Sequence, residues 1–162
     1  MKKYSYKEVE RGITKIDSLP FYLKGKVIPG FQRGSKELGF PTANIPIEPY
    51  QELLQVIPTG IYSGWISLEE NVYKMAMSIG WNPFYKNEKK TIEIHIIHTF
   101  ENDFYGKEIF AIALEYIRPE LDFLSLEDLK SAIKDDIDYA SVKLNETNNL
   151  FYKTDKFFIN KL

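Results

Sequence analysis

The chain has 162 residues, 44% hydrophobic and 15% aromatic, enough for one domain with a buried core and too apolar for a disordered segment. Lys plus Arg number 21 and Asp plus Glu 23, a net charge of −2, which argues against a general nucleic-acid binder, since those carry a basic excess. The absence of cysteine excludes a disulfide framework, a thiolate metal site and a cysteine nucleophile.

Met1 to Ser18 is dotted with Lys, Glu, Arg and Asp. It lacks the apolar core of a secretory signal, and no apolar run in the chain approaches the ~20 residues of a membrane helix. A cytoplasmic protein without membrane association is expected. Residues 1–19 read as an N-terminal extension, and residues 20–162 as one domain. Phe21 to Ile28 mixes apolar and polar residues at short range and reads as a strand ending at Gly30.

The stretch Gly30-Phe31-Gln32-Arg33-Gly34-Ser35-Lys36-Glu37-Leu38-Gly39 follows, and then Phe40-Pro41-Thr42-Ala43-Asn44. Glycines allow φ > 0 and close backbone approach, so successive N–H groups can form a concave nest for phosphate oxygens. Arg33 and Lys36 add compensating positive charge. The spacing is not that of a Walker A loop, because Gly34 is followed by Ser35-Lys36 rather than directly by lysine. An ordinary hairpin connection with solvated charges has the same composition. Thr42 and Asn44 alternate along a short strand, so both side chains leave one face and offer neutral oxygens to a hard divalent cation.

Asn44 to Pro58 carries Pro46, Pro49 and Pro58 and reads as largely loop. From Gly60 a period of two returns through Leu68, Glu69-Glu70-Asn71 supplies a turn, and Val72 to Ile79 forms the second arm of a hairpin. Gly80 to Lys90 is a loop rich in Asn, Pro and Lys. Thr91 to Phe100 is the clearest strand, with Ile92, Ile94 and Ile96 on one face and Glu93 and His95 on the other. His95 and His98 lie three apart, so on a strand they point to opposite faces and do not chelate a metal together. Glu108 to Ile117 is a further strand, ended by Arg118-Pro119. Leu126, Leu129, Ile133, Ile137, Ala140 and Leu144 then recur at helical spacing, with Ser125 as an N-cap, predicting a helix over about 125–144. Five or six strands closed by one helix suggest a small antiparallel barrel.

Several of these words resemble one family. Gly-Phe-x-Arg-Gly-Ser-Lys-x-Leu-Gly-x-Pro-Thr-Ala-Asn, beginning at Gly30, is similar to the ATP loop and metal motif of the riboflavin kinases (flavokinases). So are Gly60-Ile61-Tyr62-x-Gly64-Trp65, Ser78-Ile79-Gly80-Trp81-Asn82-Pro83, Glu93-x-His95-Ile96-x-His98-Thr99-Phe100, Asp103-Phe104-Tyr105-Gly106 and Arg118-Pro119-Glu120. The resemblance runs from about Pro20 to about Leu144.

It implies a mainly β fold, a six-stranded antiparallel Greek-key barrel with a C-terminal α-helix and the site on its outside. The implied activity is ATP-dependent phosphorylation of riboflavin at the ribityl 5′-hydroxyl, giving FMN and ADP, by a monofunctional kinase of the eukaryotic type. Carried over residue by residue, Glu93 is the catalytic carboxylate, which pattern alone would leave as a solvated residue on a polar face. Gly30, Arg33, Gly34, Lys36, Thr42, Ile96, His98 and Tyr105 fall on the nucleotide. Thr42 and Asn44 fall on a cation, Mg²⁺ or else Zn²⁺ or Mn²⁺. As both ligands are neutral, it is expected to arrive with ATP. Arg118, Leu121 and Phe123 fall on the flavin. Arg118 reads equally as the ion-pair partner of an acid such as Glu120, Phe123 as a core residue, and family members often have lysine where Leu121 stands. A monomer binding ATP/ADP and riboflavin/FMN, and no nucleic acid, is expected. A non-catalytic flavin- or nucleotide-binding barrel and a single-strand nucleic-acid binder are the rival readings. The set Thr42, Asn44 and Glu93 weighs against the first, and the lack of a basic aromatic stripe against the second.

Overall fold

The computed structural model describes residues 2–28, 39–81, 89–101 and 104–159. Six strands form: β1 (Phe21–Lys26), β2 (Ala43–Asn44), β3 (Gly60–Leu68), β4 (Asn71–Trp81), β5 (Lys90–Ile96) and β6 (Glu108–Arg118); burial alternates along β1 and β5, while β3 and β6 are covered on both faces. All pair antiparallel, in the order β1-β6-β3-β4-β5-β2. The sheet curls into a half-barrel, and its two edges meet at one bridge, where the Ile28 N–H donates to the Asn44 carbonyl at 2.9 Å.

The concave face holds the main core, in which Leu23, Ile66, Met77, Ile92, Ile94 and Ile109 are almost wholly buried. The convex face of β3 and β6 carries a second cluster: Trp65, Phe110, Ile112, Leu144 and Phe158. The aromatic tail therefore closes over the outside of the sheet. It runs in short helical turns from Thr147 to Phe158, and the Trp65 indole N–H donates to the Asn149 carbonyl at 2.9 Å.

Three expectations shift. Gln51–Val56 is a short helix, α1, inside the stretch read as loop; its prolines bracket the helix and do not fall within it. β5 stops at Ile96, because the His98 N–H turns back onto the Ile96 carbonyl at 2.8 Å. The long helix, α2 (Leu126–Lys143), is capped as expected, with Ser125 Oγ accepting from the Asp128 N–H. Its buried line, however, is Ala132, Asp136, Ala140 and then Leu144, while Leu126 is 68% exposed. Small side chains let the helix lie close to the sheet, and the larger Leu129, Ile133 and Ile137 flank that contact half-buried. Among the described residues no helix is long and apolar enough to cross a membrane.

Gly64 marks the tightest approach of β3 to β6. A Cβ there would overlap the Ile112 carbonyl, which is backbone and cannot rotate away. Gly64→Ala is expected to cost about 3 kcal/mol by forcing the two central strands apart. The check is the midpoint of urea unfolding at unchanged m-value.

Candidate active site

The pairing of β2 with β5 sets the site. Asn44 is the direct cross-strand partner of Glu93, and on its other side Glu93 faces Ser78 of β4. Ser78 in turn pairs with Ile61 of β3, and Ile61 with Arg118 of β6. Directly opposed residues share a face of a sheet. Asn44, Glu93, Ser78, Ile61 and Arg118 therefore form one row across the outer face. At ~4.8 Å per strand, Glu93 and Arg118 stand about 14 Å apart along it.

Glu93 is half-buried between inward-pointing isoleucines. Burial pushes its carboxyl above the usual glutamate range, and no cation pairs with it among the described residues. Asn44 is buried, and its carboxamide oxygen accepts no hydrogen bond among the described residues. An orphaned neutral oxygen next to a carboxylate suits a hard cation that keeps most of its other ligands. Thr42 stands half-buried just before β2, its Oγ1 also out of solvent.

His95 lies two residues beyond Glu93 on the same face. Its Nδ1 is 2.9 Å from the Pro41 carbonyl, and since a carbonyl only accepts, that nitrogen carries the proton. The Phe40 ring stands edge-on to the imidazole at 6.1 Å. His95 thus tethers the segment leading into Thr42 and Asn44. Among the described residues there is no group of three or more His, Cys, Asp or Glu placed to hold a metal.

At the far end of β5, His98 is exposed and its ring lies against Tyr73 at 4.7 Å and Phe100 at 4.8 Å. Phe104 extends this aromatic group, and Tyr105 beside it is 51% exposed. Ile96 points into the core, so only its backbone is open to a ligand. Gly30, Arg33, Gly34 and Lys36 lie outside the described residues.

At the other end of the row Arg118 is buried. Its Nε and Nη2 donate to the two carboxylate oxygens of Asp136 at 2.9 and 2.7 Å, and Nη1 donates to the Pro119 carbonyl at 3.0 Å. The acid that pairs with it is Asp136 on α2, not Glu120. The Glu120 carboxylate instead lies over Gly80 on β4, where any side chain would overlap it. The guanidinium sits 5.5 Å from the centre of the half-buried Phe123 ring, and Leu121 is half-buried on the same connection. Sequence reasoning missed Asp136. Its spacing of four from Ala132 and from Ala140 placed it on the buried face, but nothing local named its partner.

Comparison with known proteins agrees with this fold. Residues 18–144 match the family model described as riboflavin kinase. The mouse riboflavin kinase is 51% identical over 142 residues, 87% of this chain and 92% of that protein. The human riboflavin kinase is 50% identical over 141 residues, 86% and 91% of the two chains. The crystal structure of riboflavin kinase from Trypanosoma brucei superposes with a TM-score of 0.72 at 30% identity, covering 88% of each chain. The fold is a flavokinase-type half-barrel. The chain belongs to the riboflavin kinase family.

Proposed function

We propose that the outer row from Asn44 to Arg118 is where this chain carries out its family's reaction. The protein transfers the γ-phosphoryl group of ATP to the 5′-hydroxyl of riboflavin, giving FMN and ADP. The observation that carries the assignment of roles is the direct opposition of Glu93 and Asn44 across β5 and β2.

Phosphoryl transfer needs little covalent help from a protein; it needs positioned phosphates and an oriented nucleophile. The glycine-rich stretch with Gly30, Arg33, Gly34 and Lys36 cradles the phosphates. The Ile96 backbone, His98 and Tyr105 border the nucleotide at the other end of β5. Thr42 Oγ1 and Asn44 Oδ1 would hold a divalent cation, Mg²⁺, which would supply positive charge to offset that of the phosphates. Glu93 accepts the proton of the 5′-hydroxyl as that oxygen bonds to the γ-phosphorus and the bond to the ADP oxygen breaks. Its raised proton affinity, from burial, suits that task. Arg118, Leu121 and Phe123 border the flavin ring, and the ~14 Å between Glu93 and Arg118 leaves room for a ribityl chain with a ring system beyond it.

Riboflavin incubated with ATP and the protein is expected to give a phosphorylated flavin by chromatography only when a divalent cation is present. No product with Mg²⁺ would refute the reading. Because Thr42 and Asn44 bring no charge, titration of Mg²⁺ into the nucleotide-free protein is expected to show no binding at micromolar concentration. Tight binding there would overturn the neutral site.

A further inference from the structure

The family match begins at residue 18, yet the residues before it are tied to the flavin-side connection at several points. The Tyr4 N–H donates to the Asp122 carbonyl at 2.7 Å, and the Leu124 N–H donates to the Tyr4 carbonyl at 3.0 Å. Tyr4 and Phe123 are thereby locked in a parallel bridge. The Tyr6 N–H donates to Asp128 Oδ1 at 2.9 Å, in the first turn of α2. The Gly12 N–H donates to the Ile117 carbonyl at 2.9 Å. Gly12 has φ 74°, and any side chain there would overlap the Tyr139 hydroxyl, so the segment makes this turn only with glycine.

Between these anchors Arg11 is pulled inward. Its Nε donates to Asp136 Oδ1 at 2.9 Å and its Nη2 to the Ala132 carbonyl at 3.0 Å. Asp136 Oδ1 is the oxygen that also accepts from Arg118 Nε. Arg118 and Asp136 already form a neutral, bidentate pair. Burying a second guanidinium on the same carboxylate is a desolvation cost that charge balance does not require. What Arg11 adds is a fixed rotamer for Asp136, and through it a fixed plane for Arg118 beneath Phe123.

We propose that residues 2–12 form a strap that pre-organises the flavin-binding connection 118–124, with Arg11 as a positioning residue acting through Asp136 on Arg118. The proposal rests on the flavin-side reading of Arg118, Leu121 and Phe123. A connection held in its bound shape does not have to be ordered when the ring docks, so the strap favours riboflavin binding. Among the described residues its hydrogen bonds to the rest of the domain run to residues 117–136, away from the nucleotide end of the row at β2 and the end of β5.

The test uses the full chain and reads riboflavin affinity by quenching of flavin fluorescence, together with KM for riboflavin and for ATP. Arg11→Gln is expected to raise the riboflavin Kd and KM about tenfold, the loss of a charge-assisted contact, with KM for ATP changed less than about twofold. Arg11→Lys is expected to recover part of the effect. Tyr4→Pro removes the donor to Asp122 without touching a buried charge, and is expected to raise riboflavin Kd about threefold; it decides the matter if Arg11→Gln does not fold. If both variants keep riboflavin affinity while Arg118→Lys lowers it, the strap is overturned and the flavin-side reading stands. If Arg118→Lys also leaves it unchanged, the flavin-side reading fails and takes the strap with it. Equal rises in both KM values would mean a general structural role and overturn the positioning claim.

Discussion

Glu93→Gln is expected to lower turnover by about 10²–10⁴ while the fold survives, the range that a positioned general base contributes. Glutamine keeps the shape of the side chain and cannot take the hydroxyl proton. Most buried acids are replaced at a cost because they are paired, and this one has no cation beside it among the described residues. Its carboxyl is pushed above the usual range by burial. In the folded state the ionised form is therefore disfavoured relative to the unfolded chain. The linkage follows from that sign: the favourable balance is full below the unfolded pKa and is lost as pH rises through the folded pKa. At neutral pH the native ionised Glu93 is a small burden on stability, so the glutamine variant should melt no lower than the parent. The acid limb that protonation of Glu93 gives the parent's rate profile should vanish in the variant's residual activity. Steady-state turnover with a thermal melt checks both halves; near-normal turnover would remove Glu93 from the chemistry.

Asp136→Ala should have the largest effect on stability, about 3–5 kcal/mol, because two guanidiniums are left buried without their carboxylate. The side chains of Asp136 and Arg118 are only 3% and 4% exposed, and that of Arg11 12%. For a domain whose total stability is about 5–15 kcal/mol, such a loss brings the folded state near its limit. Buried pairs are poorly screened, so the loss should change little between low and high salt. The exposed pair Lys134–Asp138 on the same helix should contribute less than ~1 kcal/mol and weaken with salt. Urea unfolding at two salt concentrations separates these cases. Replacing Arg11, Arg118 and Asp136 together by apolar residues should recover most of the stability lost in Asp136→Ala, yet not riboflavin binding.

The legible parts of this molecule were those governed by local periodicity. The alternation in β5 put Ile92, Ile94 and Ile96 inside and Glu93 and His95 outside, and the structure has them so. Ser125 capped its helix as its chemistry required. The helix stripe was legible in part: Ala140 and Leu144 fall on it and are buried, but it also counted Leu126, which stands in solvent, and it left out Ala132 and Asp136, which close packing seats against the sheet. His95 carried no signal of its tether, since its partner is a backbone carbonyl, Pro41, which any residue would supply.

What the chain determines by itself is which side chains can face the core and which residue types are available for phosphate, cation and proton. These depend on neighbours two to four positions away, and a pattern in the sequence records them. Which strand lies beside which, and in what register, is decided by the whole molecule. The opposition of Asn44 to Glu93 and the sharing of Asp136 by Arg11 and Arg118 exist only once the sheet has curled and α2 has docked on it. Contacts between distant segments are selected by the combined burial of the core, and no single stretch of sequence encodes that sum.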